Sequence, residues 1–437
     1  MPPILLILST ALFALLTPAP VATSAPLTTG ETVEELWSNG NLRRRYDLDD
    51  KGRKNGNYVE YYEDGEVQLR ARYRADELDG VYATFYEDGA KHVYAKYKKG
   101  KLHGKYTERL PSGDLRLTAE YDSGALDGVR AFYTGKKSSS KQRWKDGVLL
   151  DIDGLAPFPR PLAEMAEELL AIRADITPPP APDLADEQRL AAERARGLNR
   201  LQEYRALCGV PWKDLELVED YDVHAQWGAK LCHAIGGLNH TPDNPGWADD
   251  EYRKGYRGTS NSNLATVDDC ARSIDMYMDD SDPSNIDRVG HRMHCLARTL
   301  KKTGFGSFKG YSAMWSLDRS GKAPSKDFVA YPPPGYVPVD RFGPRYAWSV
   351  RFDSGFRRVP DVKEVTVRVY ELDELYARVG EPKELDHLGR IGTNALIFRP
   401  VGLTVTAGAK YWLEIDGLSG GKRGETFRYM IEFVELD

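Results

Sequence analysis

Cysteine is scarce in this sequence, and the little there is falls in one region. The chain has 437 residues and only four cysteines, which are Cys208, Cys232, Cys270 and Cys295. No pair has CxxC spacing, which argues against a structural zinc site of the zinc-finger type. In an exported chain an even number of cysteines predicts two disulfides, and four cysteines allow three pairings. The alternative is that the reduced thiols are buried as small apolar groups.

An excess of charge of either sign is also missing. Sixty basic and 66 acidic residues leave a formal net charge of −6. The basic footprint of a nucleic-acid-binding protein is therefore absent, and we predict no nucleic-acid partner. Hydrophobic residues make up 41% of the chain and charged residues 29%, as in an ordinary soluble globular protein. The length allows about three domains of ~100–200 residues each.

Long apolar runs are absent except at the amino terminus. Residues 4–16 are apolar apart from Ser9 and Thr10, and small residues follow up to Ala25. This run is too short to span a bilayer comfortably and has the length of a signal-peptide core. We predict a signal peptide over residues 1–25. The expected location is secreted, periplasmic or in the cell envelope, with no transmembrane helix after cleavage.

Two local signatures of function are missing as well. Ser262, the one serine considered as a nucleophile, does not lie in a Gly-x-Ser-x-Gly elbow, and no complete EF-hand loop is present. The acidic run Asp249-Asp250-Glu251 is therefore interpreted as a solvated surface.

The first feature that is present is a repeat over residues 34–150. Glycines recur every 24 residues, at Gly56, Gly80, Gly104 and Gly128. Each unit holds two aromatic-rich runs separated by a polar residue and a glycine, as at Asp64-Gly65. Because both residues of such a turn adopt positive φ readily, the pattern predicts a β-hairpin. One hairpin per repeat, stacked on the next, predicts an extended β-array.

This period and aromatic pattern resemble the MORN-type repeats of exported bacterial proteins. The resemblance implies a scaffold or an interaction surface, in some members proposed to contact lipids. We interpret the repeated tyrosines Tyr73, Tyr97 and Tyr121 as cross-strand packing rather than as a ligand site.

A connector is predicted over residues 151–183. Residues 162–176 have helical spacing of apolar side chains. The proline-rich run at residues 177–182 cannot continue that helix. Asp183 is placed to cap a second helix that begins near Leu184.

Helical patterns also cover residues 219–234, 268–278 and 289–300. Residues 307–317 and 327–331 have the composition of strands. The middle domain, predicted over residues 184–328, therefore mixes helices with short strands.

Three ordered motifs lie on this framework. The first joins Leu198-Asn199 and Tyr204-Arg205 to a following Gly209-Val210-Pro211. The second is Leu238-Asn239-His240, which comes after a glycine pair, and the third is Gly290-His291-Arg292, closed by Gly304-Phe305-Gly306. Together they resemble the CAP (SCP-like) family of cysteine-rich secretory and pathogenesis-related proteins. The resemblance implies an α-β-α sandwich in which His240 and His291 face each other across one shallow pocket.

In that family two acidic residues often accompany the two histidines, and the set can hold a divalent cation such as zinc. The first acid lies in a Gly-Glu-Asn motif, but here Ser262 stands in that position, within Asn261-Ser262-Asn263. For the second acid we favour Asp280 over its neighbours Asp279 and Asp282. The predicted binding cleft is therefore His240, Ser262, Asp280 and His291, and the metal ligands would be His240, His291 and Asp280. No catalytic residue is assigned.

The last domain is predicted over residues 335–437. Alternating or apolar runs recur between glycine and proline turns, for example at residues 347–352 and 410–415. Regular strands without a helical period predict an immunoglobulin-like β-sandwich.

The leading functional hypothesis is an exported multidomain binding protein with a degenerate CAP-type cleft. Its ligand would be a small apolar molecule, a cation or a protein, and the partners considered are a protein or a lipid-like ligand. One alternative is a metal-dependent hydrolase with an altered tetrad. Another is an envelope scaffold that binds through its repeats.

Overall fold

The computed structural model describes residues 30–135, 137–174, 186–322, 326–353, 355–420 and 425–436. The predicted signal peptide and the proline run with Asp183 lie outside the described residues. The chain divides into two compact units, one ending at Leu155 and the other beginning at Ala156.

The first unit is an antiparallel sheet of 12 strands, in which each strand pairs with those next to it along the chain. Only β9 lies off this path, as an extra partner of β8. The strands are β1 (Thr32–Leu36), β2 (Leu42–Leu48), β3 (Lys54–Tyr61), β4 (Val67–Arg74), β5 (Glu77–Phe85), β6 (Lys91–Lys98), β7 (Lys101–Arg109), β8 (Leu115–Asp122), β9 (Ala125–Leu126), β10 (Gly128–Thr134), β11 (Lys137–Lys145) and β12 (Val148–Ile152). The predicted array of β-hairpins is confirmed.

Two kinds of turn alternate along this sheet. Between β3 and β4 the amide of Gly65 donates to the carbonyl of Tyr62 at 3.0 Å, and Gly65 has φ of 94°. Between β4 and β5, Ala75 and Asp76 both have positive φ, at 50° and 70°. Two such residues form the type I′ turn, whose twist matches that of the strands.

Each repeat packs one small residue between large ones. Ala95, only 1% exposed, is paired with Tyr82 on one neighbouring strand and with Tyr106 on the other. The ring centroids of Tyr82 and Tyr97 lie 5.7 Å apart in an edge-to-face arrangement. Burial raises the pKa of Tyr106 to about 12. The repeated tyrosines therefore contribute cross-strand packing.

The second unit contains six α-helices among its described residues. They are α1 (Leu162–Ala174), α2 (Asp186–Leu207), α3 (Glu219–Ile235), α4 (Asp249–Ser260), α5 (Cys270–Asp279) and α6 (Gly290–Cys295). The sequence analysis did not predict α4. Its first turn is the acidic run at residues 249–251, which suits the positive end of the helix dipole. None of the described helices has both the length and the apolar composition needed to cross a bilayer.

Helix α6 ends at Cys295, earlier than the predicted helix over residues 289–300. The buried guanidinium of Arg205 donates to the carbonyls of Cys295, Ala297 and Leu300, at 2.7, 2.9 and 3.1 Å. Because these carbonyls turn toward Arg205, they do not continue a helical ladder. A contact from a distant helix thus overrides the local helical pattern.

Five short strands accompany these helices. They are β13 (Glu216–Leu217), β14 (Ser262–Ala265), β15 (Lys302–Thr303), β16 (Phe305–Phe308) and β17 (Tyr311–Trp315). Strands β14, β17 and β16 form an antiparallel sheet in that order. The predicted single strand over residues 307–317 is instead the hairpin of β16 and β17. Lys309 and Gly310 form its turn, with φ of 45° and 88°.

The rest of the unit is β-rich. Its strands are β18 (Phe328–Tyr331), β19 (Gly335–Pro338), β20 (Trp348–Phe352), β21 (Arg357–Arg358), β22 (Thr366–Leu372), β23 (Arg378–Val379), β24 (Leu385–Ile391), β25 (Ala395–Pro400), β26 (Lys410–Asp416), β27 (Ser419–Gly420) and β28 (Phe427–Val434). One sheet has the order β18-β20-β25-β24, and a second has the order β19-β28-β26-β22-β23. The predicted β-rich carboxyl-terminal region is confirmed.

One apolar core joins helices α2 and α5 to the β-rich part of the second unit. Leu201 of α2, Ile274 of α5, Phe305 of β16, Trp348 of β20 and Phe433 of β28 are fully buried members of the same cluster. The helices and the β-rich part therefore pack as one body.

The disulfide prediction is wrong, because all four cysteines are free and buried. Cys208, Cys270 and Cys295 belong to the large core, and Cys232 packs in a separate cluster with Leu264. Burial raises the pKa of Cys208 and Cys295 to about 12 and that of Cys232 to about 11. These thiols are small apolar core groups, which was the alternative reading of the sequence.

Candidate functional site

His240 and His291 line the same cleft, as does Ser262. The cleft has a volume of about 580 Å³. Its other lining residues are Leu238, Ser260, Asn261, Asn263, Leu264, Ser284, Asn285, Arg288, Gly290, His294, Ser316 and Leu317. Of the four side chains predicted from the sequence, only Asp280 is not part of the lining.

Asp280 lies behind the ring of His291. It follows the last turn of α5 with a left-handed φ of 44°. Its Oδ1 lies 2.8 Å from Nδ1 of His291, and its side chain is only 1% exposed. Its Oδ2 accepts from the backbone amide of Arg292 at 3.3 Å. The carboxylate therefore orients the histidine rather than meeting a ligand.

His240 is fixed from the other side of the cleft. It lies on the loop after α3, which ends at Gly236 in a left-handed conformation with φ of 70°. Nδ1 of His240 is 2.8 Å from the carbonyl oxygen of Thr259, near the end of α4. The hydroxyl of Thr259 donates back to the carbonyl of His240 at 3.2 Å. This reciprocal pair holds the His240 loop on α4.

A third histidine, His294, joins the two that were predicted. Its Nδ1 lies 3.0 Å from Oδ1 of Asn263, whose Nδ2 donates to the carbonyl of His291 at 3.0 Å. Burial lowers the pKa of His294, and the neighbouring His291 lowers it further. His294 was not among the site residues predicted from the sequence. The available signal was its spacing of three from His291 on one helix.

The hydrogen-bond partners assign the tautomers of the three imidazoles. A carbonyl, a carboxylate and an amide oxygen can only accept, so Nδ1 of His240, His291 and His294 carries the proton. In the neutral ring the other nitrogen, Nε2, is then an acceptor. Holding one ring nitrogen in this way is how proteins aim the other at a ligand.

No protein-family model matches this chain, and no curated protein matches it either.

Ser262 makes no nucleophile–base pair. It is 4% exposed, and its hydroxyl has no hydrogen-bond partner among the described residues. A serine nucleophile needs a base within hydrogen-bond reach. Ser262 lies in β14, which pairs with β17 and leaves the hydroxyl in the cleft wall.

The predicted cation ligands are arranged differently from a coordination shell. The carboxylate of Asp280 is hydrogen-bonded to His291 itself, and no carboxylate of the described residues lines the cleft. Within the described part of the chain, no group of three or more His, Cys, Asp or Glu side chains is placed to hold a metal ion. Zinc binding through His240, His291 and Asp280 stays a prediction.

Buried Arg292 fastens the site to the β-rich part of the unit. Its guanidinium donates to the carbonyls of Met278 and Ala347, both at 2.7 Å, and to the hydroxyl of Ser349 at 3.1 Å. The same group lies 4.9 Å from the ring centroid of Tyr331. The residue next to His291 is thus bound to β20 and to the end of α5. Sequence analysis assigned no role to Arg292.

Proposed function

We propose that this chain is a multidomain binding protein of the cell exterior or envelope whose histidine cleft takes a small ligand. The observation that carries the proposal is the hydrogen-bonding pattern that His240, His291 and His294 share. Each ring is held through Nδ1 by a protein acceptor, which leaves Nε2 as the group to meet a ligand.

The chemistry of the lining supports a ligand with both polar and apolar parts. Asn261 and Asn285 supply amide groups to the cleft, beside the acceptor nitrogens of the histidines. Leu238 and Leu317, 46% and 44% exposed, offer apolar surface at the same cleft. A few directional polar groups among apolar surface are typical of small-molecule sites. A ligand hydroxyl or amide that donates to Nε2 meets these requirements.

The family assignment belongs to the same proposal. Residues 184–328 are proposed as a CAP-like domain, supported by the three motifs and by the position of His240 and His291 in one cleft. The hairpin array is proposed as MORN-like, and residues 335–437 as an immunoglobulin-like sandwich. Because Ser262 replaces an acid, the cleft is proposed to bind rather than to catalyse.

A fragment screen by ligand-observed NMR tests this proposal. A library of uncharged alcohols and amides is screened against the protein and against the double variant His240→Ala, His291→Ala. We expect fragments that bind the wild type and are lost with the double variant. His233→Ala is the matched control, because His233 is exposed on α3 and does not line the cleft. If every fragment bound the double variant as well as the wild type, the cleft would not be the binding site.

Hydrolysis is the second candidate, and the Asp280–His291 pair favours it. A histidine oriented by a buried carboxylate is a competent general base for activating water. The test is turnover of p-nitrophenyl acetate with and without added Zn²⁺. Turnover that disappears in His291→Ala but not in His233→Ala would support a hydrolase. Turnover that is unchanged in both variants would reject it.

A further inference from the structure

A second cavity lies elsewhere in the same unit and shares no lining residue with the histidine cleft. It has a volume of about 350 Å³, within the range of small-molecule sites. Its walls come from α1, the end of α2, β18 and the prolines after β18. They include Met165, Leu207, Phe328, Ala330, Pro333 and Pro334. The cavity is therefore largely apolar.

The ammonium group of Lys326 lies at this apolar wall. Nζ of Lys326 donates to the carbonyls of Cys208 and Gly209, at 3.1 and 3.0 Å. Lys326 is partly buried, and its ammonium makes no ion pair among the described residues. Burial lowers the pKa of Lys326. Two of the three N–H groups of the ammonium thus donate to uncharged carbonyls, and the third is left for another acceptor.

Glu168 and Asp353 are committed to other partners. Glu168 pairs with Arg160, which also lines the cavity. Asp353 pairs with Arg298 at 2.8 Å and accepts from the backbone amide of Lys326 rather than from its ammonium. No Asp or Glu of the described residues lines the cavity. A partly desolvated charge without a counter-ion is costly, and a ligand carboxylate would offset that cost.

We propose that this cavity binds an apolar molecule that ends in a carboxylate. The apolar chain packs against Met165, Leu207 and Phe328, and the carboxylate pairs with Lys326 at the cavity wall. Arg160, already paired with Glu168, adds positive potential at the same end. The occupant is a monocarboxylate rather than a neutral lipid, because the apolar wall alone does not account for an ammonium that has no carboxylate partner among the described residues. This site does not depend on the function proposed for the histidine cleft.

Calorimetric titration of the full chain with decanoate tests the proposal. We expect saturable binding by the wild type and at least a tenfold weaker affinity for Lys326→Gln. Lys326→Arg keeps the charge and retains binding. Lys322→Gln is the control, because Lys322 is exposed, lies four positions away and does not line the cavity. Decanol, which has the same chain without the charge, should bind the wild type and Lys326→Gln equally.

Thermal unfolding checks that the variants fold. Decanoate should raise the unfolding temperature of the wild type and of Lys322→Gln, and leave that of Lys326→Gln unchanged. Absence of decanoate binding by the wild type would overturn the proposal. So would equal decanoate affinity for Lys326→Gln and Lys322→Gln. If Lys326→Gln did not fold, loss of binding in a folded Lys326→Arg would count against the site.

Discussion

At the scale of single residues, the site is explained by how the protein holds each histidine ring. Nδ1 of each ring is hydrogen-bonded within the protein, and Nε2 is left for a ligand. Sequence motifs were sufficient to single out His240, His291 and Asp280. The motifs placed Asp280 in the cleft, whereas its buried carboxylate is hydrogen-bonded to His291 and does not line the cleft. They also left out His294, because the relevant partner, Asn263, is 31 positions earlier in the chain. Pairings of that kind depend on the tertiary fold.

The role of Asp280 can be tested by Asp280→Asn. The amide oxygen can still accept from His291, but the new amide nitrogen meets the backbone N–H of Arg292, so two donors face each other. We expect the free energy of unfolding to fall by about 1–3 kcal/mol and fragment binding to weaken. Chemical denaturation gives the first value. Asp287→Asn is the control, since this carboxyl is 80% exposed, and its effect should stay within about 0.5 kcal/mol. Equal effects of the two variants would contradict the account.

His294 predicts a pH dependence of stability. Its pKa is lowered in the folded protein, mainly by burial, so the unfolded chain binds this proton at a higher pH than the folded chain does. Its contribution to stability is therefore present above the ordinary histidine pKa of about 6.5 and is lost as pH falls. Unfolding free energies measured between about pH 7.5 and about pH 5 should fall more in the wild type than in His294→Gln. Parallel curves for the two proteins would count against a buried neutral His294.

At the scale of elements, the sequence predicted what local patterns determine. The hairpins, α3 and α5 follow from turn residues and from apolar spacing. The early end of α6 does not, because it depends on Arg205 reaching carbonyls 90 or more positions away. Helix α4 was missed because its buried residues are Gly255, Gly258 and Thr259 rather than large apolar side chains, although its acidic first turn was visible.

The contact between α3 and α4 depends on glycine. A Cβ on Gly258 would lie 1.9 Å from the carbonyl oxygen of His224. Gly258→Ala should therefore destabilise the protein by about 3 kcal/mol, although alanine is favoured in a helix by about 1 kcal/mol. The steric clash outweighs the gain in helix propensity, because the clashing atom is a backbone carbonyl oxygen that cannot rotate away as a side chain can. Gly237→Ala is the control, since no atom lies within 4 Å of its added Cβ. Denaturation curves that coincide for the two variants would show that α3 and α4 can move apart at little cost in stability.

At the scale of the whole molecule, the second unit is one folding body built from two parts that look separate in the sequence. Its core joins α2 and α5 to β20 and β28, and Arg292 joins the histidine site to Ala347 and Ser349. The sequence analysis predicted two separate domains here, over residues 184–328 and 335–437. Composition alone does not reveal that apolar surfaces on either side of such a boundary are packed together.

Truncation tests this unity. A chain that ends at Lys322 loses Trp348 and Phe433 from the core, and it loses Ala347 and Ser349 as acceptors for Arg292. We expect it to show no cooperative thermal transition in the second unit by circular dichroism. Residues 156–437 expressed without the repeats should keep that transition and the histidine cleft. A cooperative transition in the truncated chain would mean that the helices fold without the β-rich part.

The claim that His240, His291 and His294 present Nε2 to a ligand can be measured directly. Long-range ¹H–¹⁵N spectra of the histidine side chains report which ring nitrogen carries the proton. The account predicts that all three neutral rings are protonated at Nδ1, and that a fragment from the screen shifts their Nε2 signals. Rings protonated at Nε2, or Nε2 signals that do not move when a fragment binds, would contradict it.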